Sequence, residues 1–80
     1  MIQHEIDPGK RWKIDMANVL SREINISTGP NGQAQILHGI ALSLTLGANI
    51  GPQTITIPPA VVTVTIVNSG ASVVNIGWAQ

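Results

Sequence analysis

From Ile24 to Gln80 the chain contains no Asp, Glu, Lys or Arg, and its eight charged side chains all lie between Glu5 and Glu23. Surface charge is what ordinarily keeps strand faces and strand edges from associating, so an uncharged segment of this length must hide its apolar side chains in a core or against other chains. The segment also has the composition of strands. Twelve Ile and seven Val stand against five Leu, with neither Phe nor Tyr. β-Branched side chains lose less rotamer freedom on a pleated surface than on a helix. The expected fold class is all-β.

Eighty residues make a single domain, with 1–23 as a charged N-terminal arm or hairpin and 24–80 as an uncharged β core. A core of this size stabilises a chain only marginally without staples. There is no Cys, and His4 and His38 are far apart in sequence without thiolate neighbours, so neither a disulfide nor a structural metal is expected. Homo-oligomerisation is the remaining support. The formal net charge is zero, which offers no bulk attraction to nucleic acid or anionic lipid, and neither is an expected partner. No apolar run reaches the ~18 residues of a spanning helix, and the start MIQHEIDPGKRWK lacks an apolar signal-peptide core.

Along the chain, Ile2, His4 and Ile6 alternate with polar residues, Asp7-Pro8-Gly9 marks a tight turn, and Lys10, Trp12, Ile14 and Met16 resume the alternation. These segments read as a hairpin or as an extended arm that bends once. Between Asp15 and Ile24 two readings stay open. Met16, Val19, Leu20 and Ile24 fit one face of a short helix capped by Asp15, whereas Leu20, Arg22, Ile24 and Ile26 fit a strand that ends near Ser27, before Gly29-Pro30-Asn31-Gly32.

From Ala34 to Leu46 apolar residues and His38 occupy alternate positions, which reads as one strand of roughly 40 Å or two collinear strands bent at Gly39. Thr54–Ile57 is a short strand, Pro58-Pro59 interrupts, Val61–Val67 is a strand, and Asn68-Ser69-Gly70 reads as a hairpin turn leading to Val74, Ile76 and Trp78. Asn25-Ile26, Asn49-Ile50-Gly51 and Asn75-Ile76-Gly77 echo one another, which reads as recurring turn chemistry. About six to eight short strands predict a small antiparallel β-sandwich, a jelly-roll-like domain or a barrel.

No catalytic constellation can be assembled. Glu5, Asp7, Asp15 and Glu23 are the only acids, and they read as solvated strand and turn residues instead of a general acid–base pair. No cofactor is implied. Lys10, Arg11, Trp12 and Lys13 form the only basic cluster and are the candidate contact to a partner protein. His38, Val62, Val64, Ile66 and Trp78 are the candidate oligomer interface. Trp12 and Trp78 are either anchors of core or interface, or stacking platforms for a sugar.

The uncharged alternating strands Gln33–Leu46 and Val61–Val67, with the ending Asn68-Ser-Gly-Ala-Ser-Val-Val-Asn-Ile-Gly-Trp-Ala-Gln80, give the chain a resemblance in kind to small β-rich bacteriophage virion proteins, both capsid decoration or cement subunits and fibre heads. The resemblance implies a non-enzymatic structural protein of the virion, made in the host cytoplasm, that stabilises the particle as a homo-oligomer, expected as a trimer, seated on capsid or another virion protein. The alternative it implies is a carbohydrate- or receptor-binding module such as a fibre tip.

Overall fold

Each alternating stretch becomes a strand, and the strands sort into two sheets because each has one apolar face to bury. The computed structural model describes residues 2–79. In order these are β1 (Ile2–Ile6), β2 (Arg11–Asp15), a 3-10 turn (Met16–Asn18), β3 (Glu23–Thr28), β4 (Ala34–His38), β5 (Ala41–Leu46), β6 (Gln53–Thr56), β7 (Thr63–Asn68) and β8 (Val74–Trp78). One antiparallel sheet has the order β1-β8-β3-β6 and the other β2-β7-β4-β5. First pairs with last, second with seventh, third with sixth and fourth with fifth, as if one long hairpin were folded across itself. The β8–β3 and β7–β4 pairings then complete the sheets. This nesting is the jelly-roll order. The domain is a sandwich and not a closed barrel, since β1, β6, β2 and β5 are each paired on one side only.

The inward faces meet in one core. Ile6, Ile24, Ile26, Val74 and Ile76 of the first sheet pack against Ile14, Ala34, Ile36, Val64 and Ile66 of the second. Met16, Val19 and Ile57 seal the ends from the connections. Asp15 caps the 3-10 turn, its side chain accepting from the Ala17 amide at 3.0 Å. Both readings of that region therefore hold in part: a single helical turn forms, Leu20 is left outside, and the strand begins only at Glu23.

Two expected connections differ. Residues 2–23 do not pair with themselves as a hairpin, because the bend at Asp7-Pro8-Gly9 carries the chain from one sheet to the other: β1 pairs with β8 and β2 with β7. Likewise Asn68-Ser69-Gly70 is a crossing between sheets and not a hairpin turn. In both cases the turn chemistry is real. What local sequence does not specify is whether the next strand returns beside the last or crosses over, which depends on where its apolar face can be buried.

Nor is Ala34–Leu46 one strand or a collinear pair. It folds at Gly39-Ile40 into the β4–β5 hairpin, with His38 opposite Ala41. Gly39 has φ +66° while Ile40 is not among the positive-φ residues, the pattern of a type II′ loop with glycine at its first central position. A β-branched side chain at that φ is strained. Gly39→Val is therefore expected to lower stability by about 1–2 kcal/mol, and Gly39→Asn by less, since asparagine is, after glycine, among the residues accepted in primed turns. Urea midpoints of the two variants check the difference.

Candidate functional site

Charge is sorted by strand position. Glu5, Asp7, Lys10, Arg11, Lys13 and Asp15 all belong to β1, β2 or the bend between them, which form one lateral side of the sandwich. Arg22 and Glu23 sit at the start of β3, and the Arg22 guanidinium is occupied by the β6–β7 connection, donating to the carbonyls of Ile57, Pro58 and Val61. On the opposite side the edge strands β5 and β6 themselves carry no ionisable group; the nearest are Arg22 at the end of β6, Glu23 opposite Thr56 and His38 opposite Ala41.

The four residues expected to contact a partner do not act as one patch. Arg11 and Lys13 project from the outer face of the second sheet and Lys10 lies exposed in the bend, so a basic rim exists. Trp12 alternates to the other side and closes the β1–β2 edge of the sandwich. Its ring centroid lies 4.0 Å from that of His4, which in turn lies 5.5 Å from Trp78. Trp78 is only 6 % exposed, and its Nε1 is buried without a hydrogen-bond partner among the described residues. Trp78 therefore presents no open face to a sugar, whereas Trp12 is 39 % exposed with one ring face against His4.

The expected oligomer interface is corrected in a similar way. Val64, Ile66 and Trp78 belong to the chain's own core, so no second copy can bury them. Val62 is exposed, but it precedes β7 and lies in the connection after the prolines. His38 is half-buried at the end of β4, next to the Gly39 turn. The physical reason is general: the most apolar face of each strand is consumed by folding, so an interface must use what folding leaves over.

What folding leaves over is β5. Ile40 in the turn is 98 % exposed, Leu42 57 % and Leu44 38 %. The register slips between Ile36 and Leu37, which face Leu44 and Leu42 respectively, so Ser43 is the extra residue of a bulge. Leu44 therefore faces inward at the rim while Leu42 faces outward beside Leu37. Reading 34–46 as an unbroken alternation hid this, because a bulge inverts the faces from that point on.

The outer face of the first sheet forms an open groove of about 890 Å³. Two rows of side chains cross it. Gln3, Gly77, Asn25 and Thr54 are in register across β1, β8, β3 and β6, and Glu5, Asn75 and Ser27 form the next row, flanked by Pro52. Gly77 on the central strand has no side chain between Gln3 and Asn25, which deepens the floor. The Thr54 hydroxyl donates to Asn25 Oδ1 at 2.8 Å, leaving the Asn25 amide nitrogen to donate elsewhere. Sequence reading missed this surface. Its signal was the echo of Asn25-Ile26 with Asn75-Ile76-Gly77, which here marks adjacent strands with polar residues on the outer face; only Asn49, with φ +58°, sits in a turn.

Among the described residues no group of three or more His, Cys, Asp or Glu side chains could hold a metal ion. No family model, curated protein or solved structure matches the chain, so its function has to be read from its own residues and their placement.

Proposed function

We propose that the chain is a non-enzymatic assembly subunit, a capsid decoration or cement protein of a virion, that associates with its own copies through the uncharged β5–β6 side and seats on an acidic protein surface through Lys10, Arg11 and Lys13. The observation that carries this reading is that six of the eight charged side chains lie on β1, β2 and the bend between them, while Ile40, Leu42 and Leu44 are exposed along the uncharged edge strand β5.

An exposed edge strand offers unpaired backbone donors and acceptors, and proteins that remain single blunt such edges with lysine, proline or cover. β5, with the sequence ALSLTL, has none of the first two. Cover by another copy supplies backbone partners and removes apolar area from water at once. A closed assembly, expected as a trimer, with the β5–β6 sides toward a shared axis leaves the basic rims outermost, free to meet an underlying shell. Weak contacts of each rim then add through multivalency.

The test is the mass in solution. Sedimentation velocity is expected to show a discrete oligomer for the natural chain and a folded monomer for the double variant Leu42→Lys/Leu44→Lys, with dissociation strengthened at least ~100-fold because like charges then meet across a desolvated contact. A natural chain that sediments as a monomer at micromolar concentration refutes the assembly role.

A further inference from the structure

We propose that the groove on the outer face of the β1-β8-β3-β6 sheet is a binding site for neutral oligosaccharide, a function independent of the assembly reading. Three properties of the surface select this ligand class.

The first is charge. Glu5 is the single ionisable side chain among the outward-facing lining residues, and no Lys or Arg lines the groove. Phosphates, nucleic acids and acidic sugars would find no counter-charge here and one carboxylate that repels them. The second is the kind of hydrogen bonding. Asn75 offers both donors and an acceptor, the Asn25 amide nitrogen donates, the Ser27 hydroxyl can do either, and the Thr54 hydroxyl, which donates to Asn25, can accept. A ring carrying several hydroxyls, each donor and acceptor, is the neutral ligand whose groups match such a lining at close spacing. The carboxylate of Glu5 accepts from hydroxyls in the same way.

The third property is what the floor lacks. Apart from Pro52, no outward-facing side chain of the groove is apolar, so a peptide or lipid would gain little from burial and would leave its own apolar parts wet. Gly77 puts no side chain into the floor between Gln3 and Asn25, and its backbone is itself buried, so a sugar is held by the side chains of β1 and β3 around it. With no Trp, Tyr or Phe lining the groove and the His4 ring turned toward Trp12 and Trp78, each copy binds weakly, and useful avidity comes from several copies held together.

The test is an amide-resolved NMR titration of the full chain with neutral oligomers of glucose, galactose, mannose and N-acetylglucosamine, and with oligogalacturonate as the acidic control, to about 20 mM so that millimolar binding is seen. The expected result is a saturable shift of the Asn25 and Asn75 side-chain amides and the Gly77 amide with at least one neutral oligomer and none with the acidic one. Gly77→Val puts a strand-favouring side chain into the floor and is expected to weaken binding at least ~10-fold. Asn75→Ala, exposed and outside the core, is expected to do the same should the valine variant misfold. Indifference of the groove amides to every neutral oligomer overturns the proposal, as does an equal response to oligogalacturonate or unchanged affinity in both variants. Groove amides protected in the oligomer and silent to sugar would instead place another copy on this face. Sedimentation of the same samples reports the assembly separately.

Discussion

Asn68→Asp is expected to destabilise the domain by more than about 3 kcal/mol at neutral pH, a large part of the roughly 5–10 kcal/mol that holds a chain of this size. Asn68 is fully buried. Its Nδ2 donates to the carbonyls of Ile6 and Ser72, both at 2.7 Å, and its Oδ1 accepts from the Gly70 amide at 3.0 Å. One side chain thus ties the end of β1 to the connection between β7 and β8, both of which cross between sheets. Its backbone adds to the tie, accepting from Gly9 and donating to Lys10.

Aspartate has nearly the same shape, so no cavity confuses the result. It replaces an NH2 between two carbonyls by a carboxylate oxygen, which faces acceptors only. Burial and those carbonyls raise the folded-state pKa of the new carboxyl above its unfolded value. The sign follows: the variant is most stable below the unfolded value of about 4, where the group is protonated in both states, and loses stability as pH rises through the folded value. Chemical denaturation at pH 3.5 and pH 7 tests this. A variant equally stable at both, and equal to the natural chain, means that the buried amide is dispensable.

Gly70 shows why this corner cannot relax. A Cβ there would lie 2.1 Å from the Gln33 nitrogen and 2.6 Å from the Gly32 carbonyl carbon, so the β7–β8 connection is pressed against the β3–β4 turn. The Gly70 amide also donates to Gln33 O at 3.1 Å. The side chain of Asn68 therefore sits where three connections converge.

The second large effect is expected at Arg22. Its Nε donates to Ile57 O at 3.2 Å, and its Nη2 to Pro58 O and Val61 O, both at 2.6 Å, while its own carbonyl accepts from the Ile57 amide at 2.8 Å. A planar fork of donors suits three convergent carbonyls, and a lysine would supply only a point charge. The backbone there is left-handed, with φ +54°, a conformation in which any side chain costs about 1 kcal/mol or more relative to glycine. Arg22→Ala is expected to lose about 2–3 kcal/mol, the site being partly open to solvent, and to speed hydrogen exchange across residues 57–62. Arg22→Gly should lose about 1 kcal/mol less than Arg22→Ala, since it keeps the turn unstrained. If alanine is the milder change, the strain argument fails.

Legibility differed by element. The strands around Ile14, Ile24–Ile26, Ile36, Val64–Ile66 and Val74–Trp78 follow from alternation, and the turns at Asp7-Pro8-Gly9 and Gly29–Gly32 from residue type. The Gly32 amide donating to Gly29 O at 3.0 Å is the contact that such a turn predicts. Gly39 was legible as an interruption but not as a reversal, because a glycine permits a bulge, a bend or a II′ loop alike. The candidate interface was misplaced at Val64, Ile66 and Trp78 because high apolarity identifies a buried face without saying whether the chain itself or a second copy buries it. The groove was invisible for the opposite reason: Asn25 and Asn75 lie far apart in sequence and become neighbours only through the β3–β8 pairing.

Composition and periodicity alone therefore determined the strand content, the places where the chain must turn and the confinement of charge to the first quarter. These are local properties, set by rotamer entropy, by φ preferences and by the identity of each side chain. Tertiary structure alone decided which strands pair, which edges stay open and which polar residues share a face. Strands rich in Ile and Val present nearly interchangeable apolar faces, and without charges in β4–β8 there are no ion pairs to choose among partners. The choice falls instead to the one arrangement that buries all those faces together while leaving each inter-sheet crossing its hydrogen bonds.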